Sequence, residues 1–229
     1  MIKRTLDIVF SILILSIFFP LIVLSMVFVF LEDRKNPIYS AQRVGRLGKP
    51  FMMYKIRSMI VDAETSGVES TSASDPRITG VGRYIRKFKI DELSQFFNVL
   101  RGEMSIVGPR PNTINEVDKY SNEEKSLLTV KPGITDIASI VFSNESEILK
   151  HSRDPDNDYQ KLIRPYKSKL GLVYIEKKNV SIDIIIILST AIAVVNRKAS
   201  LIIMSKLLKY LGVNECLVRV AKSGLRVKN

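Results

Sequence analysis

IVFSILILSIFFPLIVLSMVFVFL, residues 8–31, contains no charged side chain and predicts a membrane-embedded element in this fold. As a straight helix the stretch is about 36 Å long, enough to cross the hydrocarbon core of a bilayer. It exceeds a signal-peptide core and ends in no small-residue cleavage site, so it is expected to be retained. Pro20, near its middle, removes a helix hydrogen bond and is expected to kink or break it. Lys3 and Arg4 precede the run, and Arg34, Lys35, Arg43, Arg46 and Lys49 follow it. Cations at both ends draw both toward the cytoplasmic face. Two arrangements satisfy this pattern: one kinked transmembrane helix, or a helix–break–helix hairpin that enters one leaflet and returns. Asp7 is costly at membrane depth unless paired, and Arg4, three residues earlier on the same helix face, is its expected partner.

Outside that run the chain is basic, with a net charge of +12 and a pI near 9.7 over 229 residues. Such a surplus points to an anionic partner: nucleic acid, anionic lipid or a phosphorylated substrate. The aromatic residues are not interleaved with the cations as a base-stacking platform requires, which argues against nucleic acid. A single cysteine (Cys216) excludes an internal disulfide, and a single histidine (His151) leaves no zinc cluster. Any metal is therefore expected on oxygen ligands, magnesium first.

The chemistry concentrates in RYIRKFKIDELSQFFNVLRGEMSIVGPRP, residues 83–111. Arg83, Arg86, Lys87 and Lys89 lead into the adjacent acids Asp91 and Glu92. Apolar residues at 90, 93, 96, 97 and 100 follow helical spacing, and Gly102 ends the helix. Acids in a first turn commonly do no more than stabilise the helix dipole. Acids set among fixed cations, with an arginine held between prolines downstream (Pro109-Arg110-Pro111), are what a metal-assisted reaction on a phosphate uses.

Residues 32–60 read as short strands and turns, and 62–76 as a loop. The Gly80-x-Gly82 turn lacks a dinucleotide fingerprint, and no Walker-type loop occurs. Helical pattern returns around Asn115–Leu128, followed by a turn at Pro132-Gly133. The Asp-x-Asp triplets of Asp154–Asp158 read as a solvated loop rather than a metal site. Residues 182–195 are apolar but too short to cross a membrane, so they form a buried core helix or an interfacial one. From Arg197 the tail is basic and amphipathic, suited to an anionic leaflet.

Together the motifs resemble the monotopic phosphoglycosyl transferases, bacterial sugar transferases that begin glycoconjugate assembly on a polyprenyl phosphate. The resemblance runs from about Lys3 to the 182–195 segment. It rests on Lys3-Arg4-x-x-Asp7, Gln42-Arg43-x-Gly45, Lys55-Ile56-Arg57-Ser58-Met59, Asp75-Pro76-Arg77-Ile78-Thr79 and Asp91-Glu92-Leu93. Further on it rests on Asn98 to Ser105, Val107-Gly108-Pro109-Arg110-Pro111 and Pro132-Gly133-Ile134-Thr135. Each motif is weak alone; their order is specific.

The resemblance implies an α+β, mainly helical fold. It has a re-entrant membrane hairpin over 1–33 broken at Pro20 and anchored by Arg4 and Asp7. A catalytic domain with a few short strands and interfacial amphipathic helices follows over 34–196, and a basic tail over 197–229. It also implies transfer of a sugar 1-phosphate from a UDP-sugar to polyprenyl (undecaprenyl) phosphate with release of UMP. The setting is the cytoplasmic face of the bacterial inner membrane, and a homo-oligomer is compatible with it. Asp91 matches the nucleophile and Glu92 the magnesium ligand. Arg110, between Pro109 and Pro111, matches the arginine that engages phosphate, with Arg86, Lys55 and Arg57 joining the substrate-binding set. The expected sugar is N-acetylated, with hexoses open.

Departures from the family pattern carry expectations of their own. Ser94 replaces the usual proline after Asp-Glu-Leu, which predicts a looser helix start. Phe19 precedes Pro20 where serine is usual. Asp136 replaces glycine after Pro-Gly-Ile-Thr and bears on sugar choice. Three rivals make different predictions: a membrane adaptor indifferent to Asp91-Glu92, a nucleic-acid binder, and an ordinary glycosyltransferase that releases UDP rather than UMP.

Overall fold

The computed structural model describes residues 2–224 apart from 69 and 73. The chain forms two compact units. One comprises Met1–Thr65, Pro76–Ile106 and Pro111–Ile134; the other comprises Ser66–Asp75, Val107–Arg110 and Thr135–Asn229.

In the first unit the apolar run lies within a single helix, α1 (Ile2–Asp33), with Pro20 inside it. By length and composition it is the one helix among the described residues able to cross a membrane. The break expected at Pro20 is not an interruption of the helix. A proline deletes one intrahelical donor and displaces one carbonyl, which bends a helix whose flanks are otherwise uniformly helix-compatible. The buried residues of α1 fall in two groups, Asp7, Ser11 and Leu15, then Ile22, Ser25 and Val29. Residues 16–20 between them are all exposed.

Strands β1 (Ile38–Val44) and β2 (Pro50–Ile56) form an antiparallel pair from Ile38↔Ile56 to Val44↔Pro50. Leu47 (φ 58°) and Gly48 (φ 76°) turn the chain between them in the left-handed region. Helix α2 (Gly80–Lys87) is N-capped by Thr79, whose hydroxyl accepts from Gly82 N. Gly82 is required there, because a Cβ would lie 2.0 Å from Ser58 O. A 3-10 turn, Ile90–Ser94, leads into α3 (Gln95–Arg101), which ends at Gly102 with φ 83°. The expected helix over this stretch is thus present, with its first turn tightened to 3-10.

Strand β3 (Ser105–Val107) follows, and then the predicted helical stretch at 115–128, which is divided. Helix α4 (Ile114–Asp118) stops short of a 3-10 segment at Glu124–Thr129. The division comes from a reciprocal cap: Glu124 N donates to Ser121 Oγ, and Ser121 N donates to Glu124 Oε2. Strand β4 (Gly133–Thr135) pairs with β3.

The second unit is helical: α5 (Ile137–Val141), α6 (Glu145–Ile148), α7 (Pro155–Asp158), a π segment at Tyr159–Ile163, and α8 (Arg164–Lys177). They are followed by α9 (Val180–Val195), α10 (Arg197–Tyr210) and α11 (Glu215–Ser223). Its core includes Ile137, Leu149, Ile163, Leu170, Ile186, Met204 and Leu208.

The acidic stretch at 154–158 is a helix start rather than a loop. Asp154 Oδ1 caps Asn157 N, Asp156 Oδ1 accepts from Ser70 N, and Asp158 Oδ2 accepts from Ser152 Oγ. Helix α9 is a core helix on one face and leaves apolar residues exposed on the other. Ile182, Asp183, Ile186 and Ser189 are buried, while Ile184, Leu188, Ile192 and Val195 are exposed. Buried Asp183 is satisfied by the Tyr174 hydroxyl at 2.7 Å. The basic tail packs inward through Leu201, Met204, Leu207, Leu208 and Leu217. At its start the Arg197 guanidinium donates to Ser143 Oγ, Val141 O and Asn144 Oδ1.

Candidate active site

Asp91 and Glu92 lie in the first turn of the Ile90–Ser94 segment, which Lys89 enters with φ 58°. That left-handed lysine is a backbone feature no sequence pattern announces, and it turns the chain so that Asp91 points inward, 5% exposed. Ser94 does not loosen the turn. Its hydroxyl lies 3.1 Å from both Asp91 O and Tyr54 O, tying the 3-10 segment to β2. Asn98 secures the same contact. Its Nδ2 donates to Met52 O and Glu103 Oε2, and its Oδ1 accepts from Tyr54 N. Asn98 occurs in a quoted motif, but its role as the joint between α3 and β2 required coordinates.

Strand β2 supplies Lys55. Its Nζ stands 3.5 Å from Glu92 Oε1 and 3.8 Å from Asp91 Oδ2. Burial pushes the Asp91 carboxyl above its ordinary range; Lys55 pulls it down, Glu92 pushes it up, and Lys89 and Arg86 pull it down. Asp91 Oδ1 is buried and has no hydrogen-bond partner among the described residues. A buried carboxyl with an orphaned oxygen is costly as a structural element. It is suited to bond something that arrives.

The same orphaned oxygen tests the site for a metal. Among the described residues no group of three or more histidine, cysteine or acidic side chains could hold an ion by itself. Magnesium, however, commonly takes one or two carboxylates and fills its remaining positions with substrate phosphate and water. Adjacent Asp91 and Glu92, hard oxygen donors both, fit that requirement.

Other expected site residues are placed differently. Arg57 is engaged by groups of the protein itself. Its guanidinium grips Asp33 at the end of α1 with two bonds of 2.6 Å, and donates to Asn36 O at 2.7 Å and Met59 O at 3.2 Å. At 7% exposed it is a structural clamp on the end of α1. Arg4 and Asp7 do not pair with each other. Arg4 donates to Val99 O and Leu100 O at the end of α3, while Asp7 accepts from Ser105 Oγ and Ile106 N. Tertiary partners win because they satisfy orphan helix carbonyls and a strand amide that a surface i,i+3 pair would leave open.

Arg110 and Pro109 belong to the second unit, and Pro111 to the first. Within the second unit Arg110 shares an electrostatic neighbourhood with Asp136 and Lys167. Burial pushes the Asp136 carboxyl up, while its bonds to Ser139 and the charges of Lys167 and Arg110 draw it down. Lys167 is drawn down by burial, but Glu145 and Tyr159 outweigh this and raise it.

The family profile described as bacterial sugar transferase matches residues 1–197. The chain belongs to the bacterial sugar transferase family. Curated relatives include a galactosyl transferase of Streptococcus agalactiae, 38% identical over 204 residues covering 82% of this chain and 41% of the relative. An undecaprenyl-phosphate galactose phosphotransferase of Salmonella typhimurium is 41% identical over 158 residues, 62% of this chain and 33% of its own. A UDP-N-acetylgalactosamine-undecaprenyl-phosphate N-acetylgalactosaminephosphotransferase of Aeromonas hydrophila is 33% identical over 192 residues, 82% of this chain and 42% of its own. This member of the family therefore spans between a third and a half of the length of these three relatives.

Proposed function

We propose that this chain transfers a sugar 1-phosphate from a UDP-sugar to polyprenyl phosphate, with Asp91 as the nucleophile. The observation that carries the reading is the buried Asp91 carboxylate, its Oδ1 without a partner and Lys55 held against its other oxygen. An oxygen of Asp91 attacks the sugar-bearing phosphorus. The bond from that phosphorus to the UMP oxygen breaks, UMP leaves, and an acyl phosphate remains on the enzyme. An oxygen of polyprenyl phosphate then attacks the same phosphorus, the aspartyl–phosphorus bond breaks, and the carboxylate is restored.

Repulsion between anions is the main obstacle, so the protein's contribution is charge and position. Lys55 opposes the rise in proton affinity that burial imposes on Asp91, and Arg86 and Lys89 add to the same field. Arg110, fixed between two prolines, has a fork suited to a phosphate oxygen. Glu92 would hold magnesium, which when bound supplies Lewis acidity to the diphosphate.

The reaction belongs at the cytoplasmic face of the bacterial inner membrane, with α1 bent at Pro20 and both ends on that face. Support comes from the ends themselves. Arg4 and Asp7 bind α3 and β3, whereas Glu32 and Asp33 bind Val81 N and Arg57, all within one unit. The exposed turn at 16–20 is then the tip in the leaflet. Relatives are named for galactose, N-acetylgalactosamine and glucose, so a UDP-hexose or its N-acetylated form is the donor class.

The test is to supply a panel of UDP-sugars labelled in the sugar, without lipid. UMP and a labelled protein are expected, and Asp91→Asn is expected to yield neither while remaining folded in membranes. Release of UDP, or full turnover by Asp91→Asn, would refute the mechanism.

A further inference from the structure

The far end of α3 gathers cations that the proposed reaction does not use. Arg4 reaches there from the first turns of α1 and Lys131 from just before β4. Arg4 Nη2 and Lys131 Nζ converge on one point, 3.5 Å and 3.4 Å from where a Cβ on Gly102 would stand. Gly102, at φ 83°, offers no side chain to fill that space. Arg46, exposed beyond β1, is held by Nε donating to Thr129 O at 3.0 Å, and its charge reaches Lys131.

Against these three cations the electrostatic neighbourhood of Lys131 contains one carboxylate, Asp7. Asp7 is already committed to Ser105 Oγ at 2.8 Å and Ile106 N at 3.1 Å. The Lys131 ammonium has no hydrogen-bond acceptor among the described residues, although it is partly buried. An ammonium so placed, with two like charges beside it, is unfavourable until an anion joins it. Burial and Arg4 pull its proton affinity down in consequence.

We propose that Arg4, Arg46 and Lys131 form a binding site for the phosphate of a membrane lipid. The inference rests on reading α1 as membrane-inserted, because that reading supplies the lipid. The apolar run begins at Ile8, one turn beyond Arg4, so the three cations sit where headgroups lie. A phosphate oxygen accepts from Lys131 Nζ, and a second from the Arg46 fork, whose Nη atoms have no partner among the described residues. Arg4, fixed by Val99 O and Leu100 O, contributes its charge without moving. The site is distinct from the acid pair: α3 lies between them, seven residues long.

The test uses the full chain in neutral detergent and native mass spectrometry. The added probes are phosphatidylglycerol, polyprenyl phosphate, uncharged diacylglycerol and inorganic phosphate. The wild type is expected to retain one or both phosphate lipids over diacylglycerol, and the two lipid arms identify the source. Lys131→Gln/Arg46→Gln is expected to retain them at least tenfold less, while still releasing UMP from UDP-sugar alone. Arg46→Gln, at an exposed position, gives a partial loss that misfolding does not explain. Equal lipid retention by wild type and double variant overturns the proposal, as does equal binding of inorganic phosphate. Loss of UMP release in the wild type would instead fault the catalytic reading, and leaves the lipid difference to stand or fall separately.

Discussion

Replacing Lys55 by methionine removes the cation seated against both acids while keeping a side chain of similar length on β2. The separation of 3.8 Å from Asp91 Oδ2 sets the size of the effect. At an effective dielectric of about 20 that pair is worth about 4 kcal/mol before screening. Substrate and water entering the site screen part of this, and the remainder is enough to displace the acid limb measurably. The sign follows from the environment. Burial already raises Asp91, and Lys55 is the leading opposing influence, so its loss raises the carboxyl further. A nucleophile must be ionised, so the acid limb of the UMP-release rate is expected to move to higher pH, with activity recovering as pH rises. Lys55→Arg is expected to restore most of the limb. The assay is single-turnover UMP release from UDP-sugar between pH 5 and about 9.5, the range over which a buried carboxylate remains interpretable. A uniform loss of rate with an unmoved acid limb would refute the reasoning, and would assign Lys55 to the substrate phosphates instead.

Asp91→Asn is expected to unfold at higher temperature than wild type at pH 8, because the native state holds that proton more tightly than the unfolded chain. The wild type's disadvantage grows as pH rises through the native titration and vanishes at low pH, which thermal scans at both ends check. Arg57→Met is expected to cost about 1–2 kcal/mol through loss of its bonds to part-exposed Asp33 and to Asn36 O, lowering the unfolding temperature by a few degrees. UMP release per folded molecule is expected to persist, and a raised KM without a stability loss would return Arg57 to the substrate. Chelation of divalent cations is expected to abolish both UMP release and protein labelling, with magnesium restoring both; retention of either in chelator would remove Glu92 from the role given to it.

The chain's order alone determined that an apolar helix begins the fold, that Asp91 and Glu92 open a helix ending at Gly102, and that cations surround them. Those features depend on neighbours in sequence: hydrophobic run length, helical spacing, and the terminating geometry of glycine. What tertiary structure decided was which cation serves which acid. Lys55, on β2, and Arg57, just past its end, lie two residues apart and looked alike. Yet the clamp on Asp33 takes one, and the acid pair takes the other. Arg4 and Asp7 likewise had a plausible local partner in each other and took distant ones, because buried backbone groups must be satisfied. Long-range partner choice depends on burial and on the competing carbonyls and amides that only the folded chain brings within reach.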